Sequence, residues 1–169
     1  LPAVTGGGTL TVKHAPAGSA TTGTNNDLTV VQSGTSTADK LPLALGALST
    51  GTGTGNIVAA NTDTLTITSA AASTVTTAIA KVTLATGTAT QSVTVTAAGN
   101  LTLGTVNADT VSTAGVTGTV TITSLSNAVG STTFTGGAGA TTIQGAGAAN
   151  VTVTTGIGND LVTTGTGDD

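Results

Sequence analysis

Apolar and polar positions alternate in short runs along much of this chain. Thr64 to Thr68 reads TLTIT, Ser92 to Thr96 reads SVTVT and Thr119 to Thr123 reads TVTIT. A two-residue period puts successive side chains on opposite faces of a β-strand, so Leu65 and Ile67 share a buried side while Thr64, Thr66 and Thr68 present hydroxyls on the other. Further strands are predicted at Lys81 to Leu84, Asn100 to Leu103, Thr110 to Ser112, Thr132 to Phe134, Thr142 to Gln144, Asn150 to Thr154 and Asp160 to Thr163. From Val93 onward the strand centres fall about nine or ten residues apart, the spacing of a coil made from two short strands. With roughly 18 residues per coil and about 4.8 Å between coils, Val93 to Asp169 builds about four coils, a rod segment roughly 20 Å long.

The predicted fold class is therefore all-β, a right-handed parallel β-solenoid or β-roll over the C-terminal two thirds. The competing architecture is an antiparallel Thr-rich sandwich, favoured most before Gly55, where the period is absent. In that N-terminal part, Gly6 to Val12 reads as a flexible start leading into an alternating strand, and a second strand is expected from Leu28 to Gln32, behind the turn-forming Asn25, Asn26 and Asp27. Asp39 to Ser49, DKLPLALGALS, is the one place with helical content, with Pro42 suited to a first turn; a short strand turning at Gly46 fits equally. The Gly/Thr run from Ser49 to Asn56 reads as a loop or a join.

Composition narrows the function. The 169 residues include no Glu, Arg, Cys, Met, Trp or Tyr, a single aromatic, Phe134, and a net charge of −4. With 37% hydrophobic residues and 6% charged ones, the chain lacks the balance of a disordered segment and is expected to fold around a narrow core of Val, Ile, Leu, Ala and Thr. Without cysteine there are no disulfides and no thiolate metal sites, so stability has to come by other means. Lys13, Lys40 and Lys81 are scattered and no stacking aromatics accompany them, so nucleic acid is a poor partner. No apolar run is long enough for a transmembrane helix, and no membrane insertion is expected. An enzyme is not expected either, because His14 has no partner nearby in sequence and Asp63 and Asp109 precede strands, where capping a turn is the usual role. The chain carries no initiator Met or signal peptide, and it is read as a piece of something longer.

The chemistry is concentrated at the end of the chain. Gly156, Gly158 and Asp160 recur nine residues later as Gly165, Gly167 and Asp169, and Leu161 and Val162 supply an apolar strand between them. Calcium is a hard cation that takes several oxygens; a glycine turn with positive φ aims carbonyls at one point and the aspartate adds a carboxylate. On these residues the chain resembles the RTX proteins of bacteria, whose nonapeptide is Gly-Gly-x-Gly-x-Asp-x-aliphatic-x, and most closely the RTX-type S-layer proteins. The likeness weakens upstream: Gly136, Gly137 and Gly139 make a good glycine turn and Ile143 keeps the aliphatic position, but Thr141 stands where the carboxylate belongs. The organisation that follows is an irregular β-rich segment at 1–55, a Thr/Val-rich β-solenoid at 56–135 and the start of a degenerate RTX-like calcium β-roll at 136–169.

The resemblance implies calcium as cofactor, held by Gly156, Gly158 and Asp160 and by Gly165, Gly167 and Asp169. In the RTX roll successive turns lie on opposite sides and turns two repeats apart share an ion, which assigns Asp160 and Asp169 to different sites. The resemblance also implies type I secretion and a place on the bacterial cell surface. Two functions are compatible with it. One is a structural S-layer protein whose partners are copies of itself or neighbouring domains, with cell-surface polysaccharide as a further partner class. The other is the stalk or ligand-binding segment of a secreted RTX adhesin, including one that binds ice. Ice-type binding requires a continuous Thr array on successive coils, and the irregular step from Thr68 to Lys81 to Val93 argues against one.

Overall fold

The computed structural model describes residues 10–12, 28–31, 39–45, 55–60, 62–69, 76–84, 90–126, 130–145 and 150–167. These residues form strands β1 (Leu10–Val12), β2 (Leu28–Val31), β3 (Lys40–Leu45), β4 (Gly55–Ala60), β5 (Thr64–Ser69), β6 (Thr76–Leu84) and β7 (Ser92–Ala97). They continue with β8 (Asn100–Asn107), β9 (Thr110–Val116), β10 (Val120–Ser126), β11 (Thr132–Thr135), β12 (Thr141–Gly145), β13 (Val151–Thr154) and β14 (Leu161–Thr163). Odd-numbered strands build one seven-stranded sheet and even-numbered strands build the other, each in sequence order. All pairings are parallel, from β1 against β3 to β12 against β14. The chain thus alternates between two sheets and advances by one strand spacing per circuit, which makes it a parallel β-solenoid.

Alternation decides which side of each strand is buried. Inward Leu65 and Ile67 on β5, and Val93 and Val95 on β7, lie between half-buried or exposed hydroxyls. Because neighbours pair in parallel register, inward residues of successive coils stack into columns. Leu41, Leu65, Val93, Val111 and Phe134 form one column on the first sheet. Ile79, Leu103, Ile122 and Ile143 form one on the second. All nine are buried in the core between the sheets.

The expected coil length holds over most of the C-terminal part. Ser92 lies opposite Thr110, Leu101 opposite Val120, and Thr142 opposite Leu161, steps of 18 or 19 residues. Earlier coils are longer: Leu10 meets Leu43 and Leu65 meets Val93, with β1 on β3 and β5 on β7 in unbroken register and one shift between β4 and β6 at Gly55/Asn56. The surplus residues sit between strands, because a slip of one residue within a strand would turn its apolar side chains outward. Between β7 and β9 the register shifts: Thr94 pairs with Ser112 but Thr96 with Gly115. This bulge places Thr113, fully buried, where earlier coils have Val95 and Ile67.

Three local expectations change. The helical reading of 39–49 gives way to β3, because Leu41, Leu43 and Leu45 alternate into the core and Leu41 and Leu43 stack on Leu65 and Ile67. The Gly/Thr run predicted as a loop or join ends inside β4, whose Ile57 is buried against Val82. The described strands before Gly55 pair in parallel, with β1 on β3 and β2 on β4, so they extend the same two sheets instead of forming an antiparallel sandwich. Residues 46–54 lie outside the described residues.

Candidate functional site

The coil has two edges, one where the chain passes from the first sheet to the second and one where it returns. Residues 136–140 follow β11 and residues 155–160 follow β13, so both turns lie on the first edge, directly stacked. Gly137 and Gly156 are in contact, as are Gly139 and Gly158. The turn GGAGAT therefore lies beneath TGIGND, with Thr141 at the position that Asp160 occupies one coil later. Gly165 and Gly167 follow β14 and lie on the opposite edge. The separation of Asp160 from the second glycine turn agrees with alternating sides; Asp169 itself lies outside the described residues.

The glycines are required for a reason other than the one expected. Neither Gly156 nor Gly158 has a φ in the left-handed region, which corrects the expectation of positive φ in this turn. Close approach is the constraint. A Cβ on Gly158 would lie 2.5 Å from the Ala140 nitrogen and 2.6 Å from the Gly139 carbonyl carbon, inside the backbone of the preceding coil. The same contact recurs upstream, where Gly118 rests on Gly99 and Gly139 on Gly118. A glycine spine thus runs along this edge through four coils, beyond the stretch where a nine-residue motif is visible.

Polar caps accompany the spine. The Thr119 N–H donates to Asn100 Oδ1 at 2.9 Å, and the Thr141 N–H donates to Asp160 Oδ1 at 2.8 Å. Backbone carbonyls fill the equivalent role for Leu101 and Val120, which donate to Thr119 and Ala140. On the return edge, Asp63 Oδ2 accepts the Asp39 N–H at 2.8 Å and Asp109 Oδ2 accepts the Gln91 N–H. These side chains stitch one coil to the next at corners where the β-ladder is interrupted. The signal in sequence was an Asn or Asp immediately before or at the start of a strand, and Asp63 and Asp109 were legible on that basis.

Two inward columns change from apolar to polar side chains. Thr113 succeeds Val95 in one column, and Thr141 succeeds Val120 in another. Both threonines are 0% exposed and both hydroxyls lack a hydrogen-bond partner. Nothing in the local sequence distinguished these threonines from the outward ones.

Calcium asks for several oxygens with more than one carboxylate among them where affinity is high. Between the stacked turns the chain offers the Asp160 carboxylate, one oxygen of which already accepts the Thr141 N–H, and the unpartnered Thr141 hydroxyl. That donor set supplies only part of the roughly six to eight oxygens that calcium takes. Among the described residues no three His, Cys, Asp or Glu side chains come together as a metal-binding group. No family model, no curated protein and no solved structure matches the chain.

Proposed function

We propose that this chain is a structural segment of a bacterial cell-surface protein, an RTX-type S-layer subunit in which stacked β-coils are stabilised by calcium and assemble into a lattice. The observation that carries the reading is the pair of stacked glycine turns on one edge, with Asp160 in the G-x-G-x-D position of the upper turn. Gly156, Gly158 and Asp160 would hold calcium on that edge together with oxygens of an adjoining coil, and Gly165, Gly167 and Asp169 on the other. A bound ion would supply positive charge between acidic corners and couple coil stacking to the calcium level outside the cell.

Low charge and the absence of exposed aromatics suit close packing of many copies.

The test is electron microscopy of the protein that contains this chain, with calcium and after chelation. Ordered sheets that appear with calcium and dissolve without it are the expected result. Isolated particles under both conditions would sink the lattice reading and leave the stalk of a secreted adhesin in its place.

A further inference from the structure

The outward side of the odd-numbered sheet carries a pattern that the linear sequence hides. Thr64, Ser92, Thr110, Thr133 and Thr152 are register partners from coil to coil. Two residues further along each strand, Thr66, Thr94, Ser112, Thr135 and Thr154 form a second column. Thr68 and Thr96 begin a third, which stops at the bulge. The irregular step between Thr68 and Val93 has no effect on this array, because the intervening β6 belongs to the other sheet and the extra residues lie between strands.

The array is regular in two dimensions. Hydroxyls repeat about every 4.8 Å from coil to coil and about every 6.6 Å along a strand, since outward positions are two residues apart. The Ser92 hydroxyl donates to Thr64 Oγ1 at 3.3 Å, so neighbours within a column touch. From β5 to β13 the outward positions of this sheet hold no charged and no aromatic side chain; charge lies at its margins, in Lys40 of β3, beside Thr64, and in Asp63 and Asp109, whose carboxylates accept N–H groups at the return edge. The other sheet differs. Its outward positions mix Val58, Lys81, Thr102, Gln144 and Leu161, and no hydroxyl column there is comparably pure.

We propose that the threonine face of β5, β7, β9, β11 and β13 binds ice. A lone surface hydroxyl exchanges one water partner for another and gains little. A sheet that fixes ten hydroxyls, eight of them with an adjoining methyl, in a repeating grid holds water at repeating positions, and the fold has already met the ordering cost. The matching surface must itself be extended, periodic, uncharged and built from hydrogen-bonding groups, which describes a water lattice. A charged mineral or an acidic polymer has no counter-charge here. A sugar chain would find no aromatic platform, because the one aromatic residue, Phe134, is buried in the core. The proposal concerns a face of the rod and does not depend on calcium or on lattice assembly.

The experiment measures ice-crystal shaping and inhibition of ice recrystallisation by the full chain, alongside the double variant Thr94→Lys/Thr133→Lys. A control variant, Thr121→Lys/Thr123→Lys, places the same charges on exposed positions of the other sheet. The expected result is activity in the parent and the control, and a rise of about tenfold or more in the concentration that the face variant needs, since repeated weak contacts are lost together. Circular dichroism of both variants establishes that each retains its β-structure, and Thr94→Val, which keeps the shape and removes one hydroxyl, gives a second reading if the lysine variant does not fold. An inactive parent, equal loss in face and control variants, or retention on crystalline polysaccharide without any effect on ice would overturn the proposal. Sheets in the microscope with no ice activity would leave the lattice reading intact, and ice activity without sheets would do the reverse.

Discussion

The Thr141 N–H donates to the Asp160 carboxylate at 2.8 Å, joining two coils through residues 19 apart in sequence. At this corner the carboxylate takes the place that a backbone carbonyl holds in the coils before it. Asp160→Ala is expected to destabilise the chain by roughly 1 kcal/mol in the absence of calcium, the usual worth of such a bond. Asp160→Asn keeps an oxygen acceptor and should cost less. Urea unfolding in chelator checks both; equal losses would show that charge, and not the hydrogen bond, is what matters.

Calcium separates the same two substitutions differently. A ligand that binds only the folded state raises its stability by mass action. If Asp160 is a calcium ligand, added calcium raises the melting temperature of the parent and much less that of Asp160→Asn. Identical calcium responses in thermal melts would remove Asp160 from the metal site.

Gly137 is held against three carbonyls of the preceding coil. A Cβ there would lie 2.6 Å from Val116 O, 2.7 Å from Thr113 O and 3.2 Å from Ala114 O. Backbone cannot step aside without parting the coils, so Gly137→Ala should cost about 1–3 kcal/mol, the range of overpacked interiors. Gly115→Ala meets mainly the Thr96 side chain, with Oγ1 at 2.7 Å and Cβ and Cγ2 at 3.2 Å, so a side chain and not a carbonyl of the backbone has to shift. A smaller loss is expected there, and denaturant midpoints of the two variants give the comparison.

Buried hydroxyls without partners weaken a core. Replacing the hydroxyl of Thr113 or Thr141 with a methyl, Thr113→Val or Thr141→Val, should stabilise the chain by about 1 kcal/mol in chelator, because a buried unsatisfied group costs on that order. For Thr141→Val a gain in chelator together with a diminished calcium response would identify its hydroxyl as a calcium ligand. Destabilisation in chelator would mean that water already satisfies the group.

Phe134 is the largest of the fully buried side chains and stands where earlier coils place Val111 and Val93. Phe134→Ala is expected to cost about 3–5 kcal/mol through the cavity it leaves. A loss below that range in chemical unfolding would show that the neighbouring coils close over the gap.

Strand positions were largely legible because burial in this fold obeys a two-residue period that the sequence states openly, as in TLTIT and SVTVT. β4 was missed because its Gly55 and Asn56 close a Gly/Thr run and because Ile57, Val58 and Ala59 are apolar on both faces, which leaves no apolar/polar alternation to read. The 39–49 segment was ambiguous because Leu and Ala suit a helix, and the stacking of Leu41 and Leu43 on Leu65 and Ile67 decided otherwise. The turn 155–160 was recognisable from glycine and aspartate spacing, whereas the glycine spine at Gly99 and Gly118 was not, since coil spacing, not a local motif, dictates it.

By itself the sequence determined the alternation of buried and exposed residues, the coil of about 18 residues after Val93, and the place of the acidic glycine turn, all of which rest on contacts within one or two turns of chain. Tertiary structure alone decided which strands share a sheet, and with it the threonine grid, the stacking of Gly137 under Gly156, and the pairing of Thr141 with Asp160. These join residues a full coil apart, across corners of variable length. Local propensity leaves such distances open, and parallel register closes them.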